Sequence, residues 1–472
     1  MKRKLLALLM FVVMLFSTAS MAACGEKETR TPDFGVDLTK VPEGGYDGSA
    51  QTIYFWHTMG ANLRAELEKA ITRFNAIYPN ITIKHEQVGS YDDVKNQIST
   101  EITEGLQPHL AYCYPDHVAA YNIAGAVQTL DVLINDPTVG FTAEQLADFI
   151  PGYYEEGREF GDNLMYTLPF SKSTELLYYD KTFFEAHPEL KVPTTWDEME
   201  ETIMKIKEID PKSIPLGYDS ESNWFITMCE QQGSPYTSAT GEKYLFDNPE
   251  NKAFVKRFRN WVQSELATTS EIFGDYTSGL FTAVNDETRS YLCIGSSAGA
   301  SYQCPERLDD GSYPFEVGIT SIPQVDPENP KVISQGPSIC LFKKTNPQEV
   351  LATWEFVKFL TTDVQFQADF SIASGYIPVI KSVEADEVYA EHLASANGNE
   401  YITALSAKVA LQQADAYYTS PAFNGSSVAR VQVGLLMQAC FVNSPGADDA
   451  AVNALIDEAF ADAVTYCKQK AK

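Results

Sequence analysis

Apolar residues recur along this chain with two different periods, and the alternation between those periods lays out its elements. Thr52-Ile53-Tyr54-Phe55-Trp56 is a β-rich run. Leu63, Leu67, Ala70, Ile71, Phe74 and Ile77 follow at helical spacing until Pro79-Asn80 stops the helix. Ile81 to Lys84 starts a second strand, Val94, Ile98 and Ile102 mark a second helix, and Leu110 to Tyr114 reads as a third strand. Strand, helix, strand, helix, strand is the opening of a doubly wound α/β sheet. The same grammar returns later without a sequence repeat. Leu176 to Tyr179, Phe315 to Ile319 and Ser338 to Phe342 read as strands, Thr195-Trp196-Asp197-Glu198 caps a helix, and Val350 to Leu360 is helical. The chain closes on an amphipathic helix carrying Val452, Leu455, Ile456, Phe460 and Val464 on one face. An α/β body large enough for two lobes follows.

The N-terminal pattern differs. Lys2, Arg3 and Lys4 precede the twelve apolar residues Leu5 to Phe16 and the small-residue stretch Ser17 to Ala23, the three-part build of an export signal. Twelve apolar residues are short for a membrane span. Met21-Ala22-Ala23-Cys24 resembles a bacterial lipobox, which would make Cys24 the lipidated N-terminus of the mature chain; an ordinary cleaved signal beside an unrelated Cys is the alternative. Residues 25 to 48 are charged and rich in Pro and Gly, and read as a flexible tether.

Composition narrows the classes. The 472 residues carry 64 acidic and 35 basic side chains, a formal charge of −29, which argues against nucleic-acid binding. Beyond Cys24 lie Cys113, Cys229, Cys293, Cys304, Cys340, Cys440 and Cys467, with no CxxC spacing, and the six histidines form no HExxH. Neither a metal site nor an obligatory disulfide framework is expected, although a single Cys293 to Cys304 bridge stays open.

Three features bear on chemistry. Gly295-Ser296-Ser297-Ala298-Gly299 matches the G-x-S-x-G of a hydrolase nucleophile elbow, with His392 the only histidine downstream and no HGGG-type oxyanion segment, so a tight strand-to-helix turn is the favoured reading. Adjacent carboxylates such as Asp92-Asp93, Asp309-Asp310 and Asp448-Asp449 are expected on the surface of so acidic a chain. Arg430 lies in a stretch free of carboxylates, so it reads either as half of a buried ion pair or as a clamp for an anion or hydroxyl. Trp224, in the polar Asp219 to Asn223 context, is the least core-like of the tryptophans.

Phe55-Trp56-His57-Thr58-Met59-Gly60, Gly89-Ser90-Tyr91, Pro169 to Thr174, Gln335-Gly336-Pro337-Ser338, the helix Ala352 to Leu360 and Gly375-Tyr376-Ile377-Pro378-Val379 together resemble the substrate-binding proteins of bacterial ABC importers for carbohydrates, in particular their sn-glycerol-3-phosphate-binding branch. The resemblance implies a two-lobed periplasmic-binding-protein-like fold of type II, each lobe a doubly wound sheet with flanking helices and the ligand in the interlobe cleft. It implies lobe 1 from residues 49–171 plus 316–363 and lobe 2 from 172–315 plus 364–472. The branch's ligand contacts fall on Tyr91, Ser173, Ser297, Gly336, Tyr376 and Arg430, with Trp224 as an aromatic wall. Where the branch has Glu after a Tyr, this chain reads Tyr114-Pro115-Asp116, so either Asp116 substitutes or the ligand differs. The implied protein is a monomer without cofactor, anchored at the cell surface through Cys24 and delivering a polyol phosphate or sugar to permease subunits. The competing class is an exported hydrolase acting through Ser297 or a carboxylate pair.

Overall fold

The computed structural model describes residues 30–284, 288–443 and 448–471. The export signal, the lipobox and Cys24 lie outside the described residues.

The strands are β1 (Gln51–His57), β2 (Ile81–Gln87), β3 (Leu110–Cys113), β4 (Leu168–Pro169), β5 (Glu175–Asp180), β6 (Leu216–Tyr218), β7 (Ala267–Thr269), β8 (Leu292–Ser296), β9 (Val317–Ser321), β10 (Val332–Ile333), β11 (Ser338–Leu341) and β12 (Tyr417–Tyr418). They form two five-stranded sheets, ordered β2-β1-β3-β11-β4 and β7-β6-β8-β5-β9, and a short β10-β12 pair. In the first sheet β1 runs parallel to β2 and β3, and in the second β6 runs parallel to β7 and β8, whereas β11 beside β3 and β5 between β8 and β9 run antiparallel. Helices cover both faces. Strands buried on both sides carry the continuous apolar runs seen in the sequence, as in Leu110–Cys113 and Ser338–Leu341, every residue of which is buried.

The second sheet defines lobe 2 and corrects the implied boundaries. Strand β9 pairs with β5, so residues 317–321 belong to lobe 2 rather than lobe 1. The helix Val364–Ser374 packs on the helix Ala61–Ile77, and the Ile150 N–H donates to Val379 O at 3.0 Å, so the chain just after residue 363 stays with lobe 1. The lobes are joined by adjacent crossing segments. Lys172 bridges to Ile377 and Ser173 to Gln335, each by antiparallel pairing.

Residues 30–48 are likewise not a free tether. The Arg30 guanidinium sits 5.0 Å over the Trp56 ring and bonds Glu101 at 3.3 Å. Asp33 accepts from the Thr345 N–H at 2.9 Å and its hydroxyl at 2.6 Å, Val36 bridges to Lys344, and Val41 is buried. Few apolar residues are needed because the strap is held by backbone and side-chain hydrogen bonds to lobe 1. All seven described cysteines are free, so Cys293 and Cys304 form no bridge. Among the described residues no helix is long and apolar enough to cross a membrane.

Candidate functional site

A cleft of about 330 Å³ opens between the lobes where the chain crosses from one to the other. Lobe 1 lines it with Tyr91, Tyr114, Asp116, His117 and Glu156; lobe 2 with Ile226, Tyr236, Thr237, Ser427 and Arg430; the crossing segments with Ser334, Gln335 and Thr419.

Local sequence aims each group. Ser90 and Asp93 cap the helix Tyr91–Glu104 reciprocally: the Ser90 hydroxyl accepts from the Asp93 N–H at 3.2 Å and the Asp93 carboxylate from the Ser90 N–H at 2.7 Å. Gly89, at φ +39°, lies so close to that carboxylate that a Cβ would clash with it at 2.3 Å. The capped turn sets Tyr91 against Tyr114, ring centroids 4.8 Å apart, and pairs its hydroxyl with that of Tyr376. Burial raises the phenols of Tyr91, Tyr114, Tyr236 and Tyr376, so all four are neutral hydrogen-bonding groups. Pro115 is the first residue of the helix Pro115–Ile123, a position that needs no N–H, and it turns Asp116 toward the cleft. Asp116, one residue after the proline, thus lines the cleft. Burial holds the His117 imidazole below its usual range, against the pull of Asp116.

Charge in the cleft is mostly cancelled. The buried ammonium of Lys172 pairs with Glu156 and also donates to Ser338 Oγ at 2.9 Å. Asp92 pairs with Lys95 at 2.5 Å. Arg430, in the helix Ser426–Val442, meets an amide rather than a carboxylate: its Nη2 donates to Asn223 Oδ1. That helix and Pro115–Ile123 both begin at the cleft without a side-chain cap, adding positive dipole ends to the guanidinium. Four buried polar atoms lining the same space have no protein partner: Tyr236 OH, Thr237 Oγ1, Ser334 Oγ and Gln335 Nε2.

The structure brings together Tyr91, Asp116 and Arg430 on the cleft wall, with Tyr376 behind Tyr91. Ser173 and Gly336 lie in the crossing segments. Gly336, at φ +91°, packs so tightly that a Cβ would fall 2.5 Å from Ser171 O. Ser297 is fully buried one layer further back, its hydroxyl accepting from the Thr174 N–H at 3.1 Å, where it joins β5 to β8 instead of facing a substrate. Trp224 is not an aromatic wall. It is 0% exposed in the core of lobe 2, stacked 4.8 Å from Tyr218 and 4.1 Å from Phe258. Its polar sequence neighbours Glu221 and Asn223 are buried as well, so local polarity did not mark an exposed segment. Tyr236 and Thr419 were not singled out because they stand in loops with no motif, and Gln335 entered only as the first residue of the Gln335-Gly336-Pro337-Ser338 motif and not as a lining residue.

Residues 69–397 match the model of a family described as bacterial extracellular solute-binding protein. This chain belongs to that family. The match contains Tyr91 through Tyr376 and stops before Arg430. The chain is 22% identical over 354 residues to the sn-glycerol-3-phosphate-binding periplasmic protein UgpB of Escherichia coli (strain K12), covering 71% of this chain and 76% of that protein. Among solved structures it is similar to UgpB from Mycobacterium tuberculosis in complex with glycerophosphocholine, with TM-score 0.68, 17% identity and coverage of 89% and 98%. It is also similar to the cyclic alpha-maltosyl-1,6-maltose binding protein from Arthrobacter globiformis, with TM-score 0.69, 16% identity and coverage of 89% and 100%. The fold is therefore the two-lobed type II solute-binding fold.

Proposed function

We propose that this chain is the lipid-anchored solute-binding component of an ABC uptake system, holding a polyol phosphate, a glycerophosphodiester or a sugar in the interlobe cleft and presenting it to a permease. The observation that carries this reading is the set of four buried, unpartnered polar atoms beside one half-buried arginine. Buried polar groups in native proteins are almost always hydrogen-bonded, so these call for a ligand rich in oxygen.

Arg430 and two helix N-termini favour an anionic group at one end of that ligand, and Asp116 favours a cation or hydroxyl at the other. A glycerophosphodiester with a cationic head suits both. The acidity of the whole chain opposes this little, since charges beyond a Debye length of about 8 Å are largely screened. A sugar would instead lie on the faces of Tyr91, Tyr114 and Tyr236. Ligand contacts drawn from both lobes stabilise the closed arrangement over the open one, and that difference is the signal a permease reads. Nothing at Ser297 favours the hydrolase reading, because its hydroxyl is engaged inside the protein.

The test is the melting temperature of the purified protein with millimolar sn-glycerol 3-phosphate, glycerophosphocholine or a maltodextrin. A ligand at about 100 times its dissociation constant adds about 2.7 kcal/mol. A shift with a phosphate compound that disappears in Arg430→Ala supports the anion-binding form. A shift with maltodextrin alone assigns the cleft to sugars, and no shift with any of the three refutes the reading.

A further inference from the structure

We propose that Glu175 and Asn223 are positioning residues for Arg430, a buried polar arm that sets both the aim of the guanidinium and the charge an anion meets in the cleft. This rests on reading the cleft as an anion-binding site.

Glu175 opens β5 directly after the crossing segment and is 2% exposed. Its Oε2 accepts from the Tyr218 hydroxyl at 2.5 Å and its Oε1 from Asn223 Nδ2 at 2.8 Å. The carboxyl group dictates which way the Asn223 amide faces. With its NH2 spent on Glu175, Asn223 can only offer Oδ1 to Arg430, and it does. The backbone holds Asn223 as well, since its N–H donates to the Ser220 hydroxyl at the start of the helix Glu221–Gln232. A carboxylate in direct contact would neutralise the guanidinium. The interposed amide orients it while leaving most of its charge for a ligand.

The charged and titratable groups facing Glu175 are Tyr218 and Asp219 from β6 and its exit, Tyr418 from β12 and Arg430 from the helix Ser426–Val442; β8 contributes Ser296, and Gln413 reaches the Glu175 backbone. Burial pushes the Glu175 carboxyl up to about 7, against both hydrogen bonds and the pull of Arg430. The sign follows. Above that pH the ionised carboxylate offsets part of the Arg430 field, and below it the guanidinium acts on an anion undiminished. Anionic ligands therefore bind more tightly in mild acid, whereas neutral sugars are indifferent. His117 also lines the cleft and titrates in the same direction, so the variants must separate the two.

The experiment is calorimetric affinity for glycerophosphocholine, whose phosphodiester keeps one charge throughout, at pH 6 and pH 8. The wild type binds about tenfold more tightly at pH 6, the scale of a charge interaction at an effective dielectric of about 20. Isosteric Glu175→Gln reduces that ratio below about twofold, with folding checked by melting temperature. Asn223→Asp, which puts a carboxylate on Arg430, weakens binding at both pH values. A pH ratio that persists in Glu175→Gln belongs to His117 and overturns the proposal. A readout independent of any ligand is the NMR titration of the Glu175 carboxyl carbon, assigned through Glu175→Gln. Arg430→Ala raises its midpoint by about one pH unit. An unmoved midpoint overturns the arm. Failure of glycerophosphocholine to bind refutes only the anion reading of the cleft, and the NMR result then decides the arm.

Discussion

Trp224 separates two accounts of this molecule, because its exposure assigns it to the fold while family resemblance assigns it to the ligand. Trp224→Ala removes a fully buried indole, a class of change that costs about 3–5 kcal/mol. The stacked contacts with Tyr218 and Phe258 place it at the upper end, since each such pair contributes about 0.5–1.5 kcal/mol beyond buried area. Set against a typical total of about 5–15 kcal/mol, this is a third or more of the stability of lobe 2. Trp224→Phe behaves differently. The indole Nε1 has no hydrogen-bond partner, so phenylalanine forfeits no bond, and only the lost ring volume remains at about 1–2 kcal/mol. Urea unfolding followed by far-UV circular dichroism measures both, and calorimetry measures affinity under conditions where each variant is folded. The expected order is a large fall in midpoint for Ala, a small one for Phe, and wild-type affinity for Phe. An Ala variant with an unchanged midpoint and no binding would refute the placement of Trp224 in the core.

Other perturbations read other parts of the structure. Lys172→Met leaves Glu156 buried without its cation and should lower stability by about 3–5 kcal/mol, and adding Glu156→Gln should recover at least half of that; the melting temperatures of the two single variants and the double variant check it. His57 is buried, accepts from the Met59 N–H at 3.1 Å and neighbours His85, and burial drives its imidazole down to about 3. Its folded value lies below the unfolded 6.5, so its contribution is fully present above pH 6.5 and is lost as pH falls toward 3; denaturant midpoints at pH 7 and pH 4 should therefore differ less in His57→Gln than in the wild type. Gly336→Ala combines a positive φ with a contact at 2.5 Å from Ser171 O, and should cost at least about 2 kcal/mol in thermal unfolding while also weakening ligand binding through neighbouring Gln335. Asp33→Ala removes both acceptors of Thr345 and should lower the melting temperature by an amount worth about 1–2 kcal/mol, whereas a free tether would show no change.

Much of the fold was legible because burial on both faces leaves a plain trace. The runs at β1, β3 and β11 and the periodic apolar positions of the helices Ala61–Ile77, Tyr91–Glu104 and Asp449–Lys470 all stand where hydrophobic patterning puts them. The capping box at Thr195 is present in full, Glu198 Oε2 accepting from the Thr195 N–H at 3.3 Å and Thr195 Oγ1 from the Glu198 N–H at 3.1 Å. The lobe assignments of 317–321 and 364–374 were not legible, because strand partners and helix docking depend on contacts made over long sequence separations. The strap at 30–48 misled for a related reason: composition reports how much a segment can bury, and says nothing of hydrogen bonds to a surface folded elsewhere.

The site follows the same logic with sharper consequences. Tyr91 and Asp116 came from the family resemblance, through Gly89-Ser90-Tyr91 and Tyr114-Pro115-Asp116, and the structure sets each in the first turn of a helix. Arg430 was readable because no neighbour in sequence could neutralise it, yet its partner turned out to be neither the carboxylate of an ion pair nor a bare cleft. Asn223, 207 residues away, stands between the guanidinium and Glu175. That interposition reconciles the two readings of the arginine. A direct ion pair would make Arg430 structural, and an unsupported guanidinium would spend rotamer entropy on each binding event. An amide backed by a buried carboxyl group gives the orientation of the first arrangement with most of the charge of the second. Only a chain folded so that β5, the Glu221–Gln232 helix and the Ser426–Val442 helix meet at the crossing point supplies all three groups, so no stretch of sequence read by itself carries the signal.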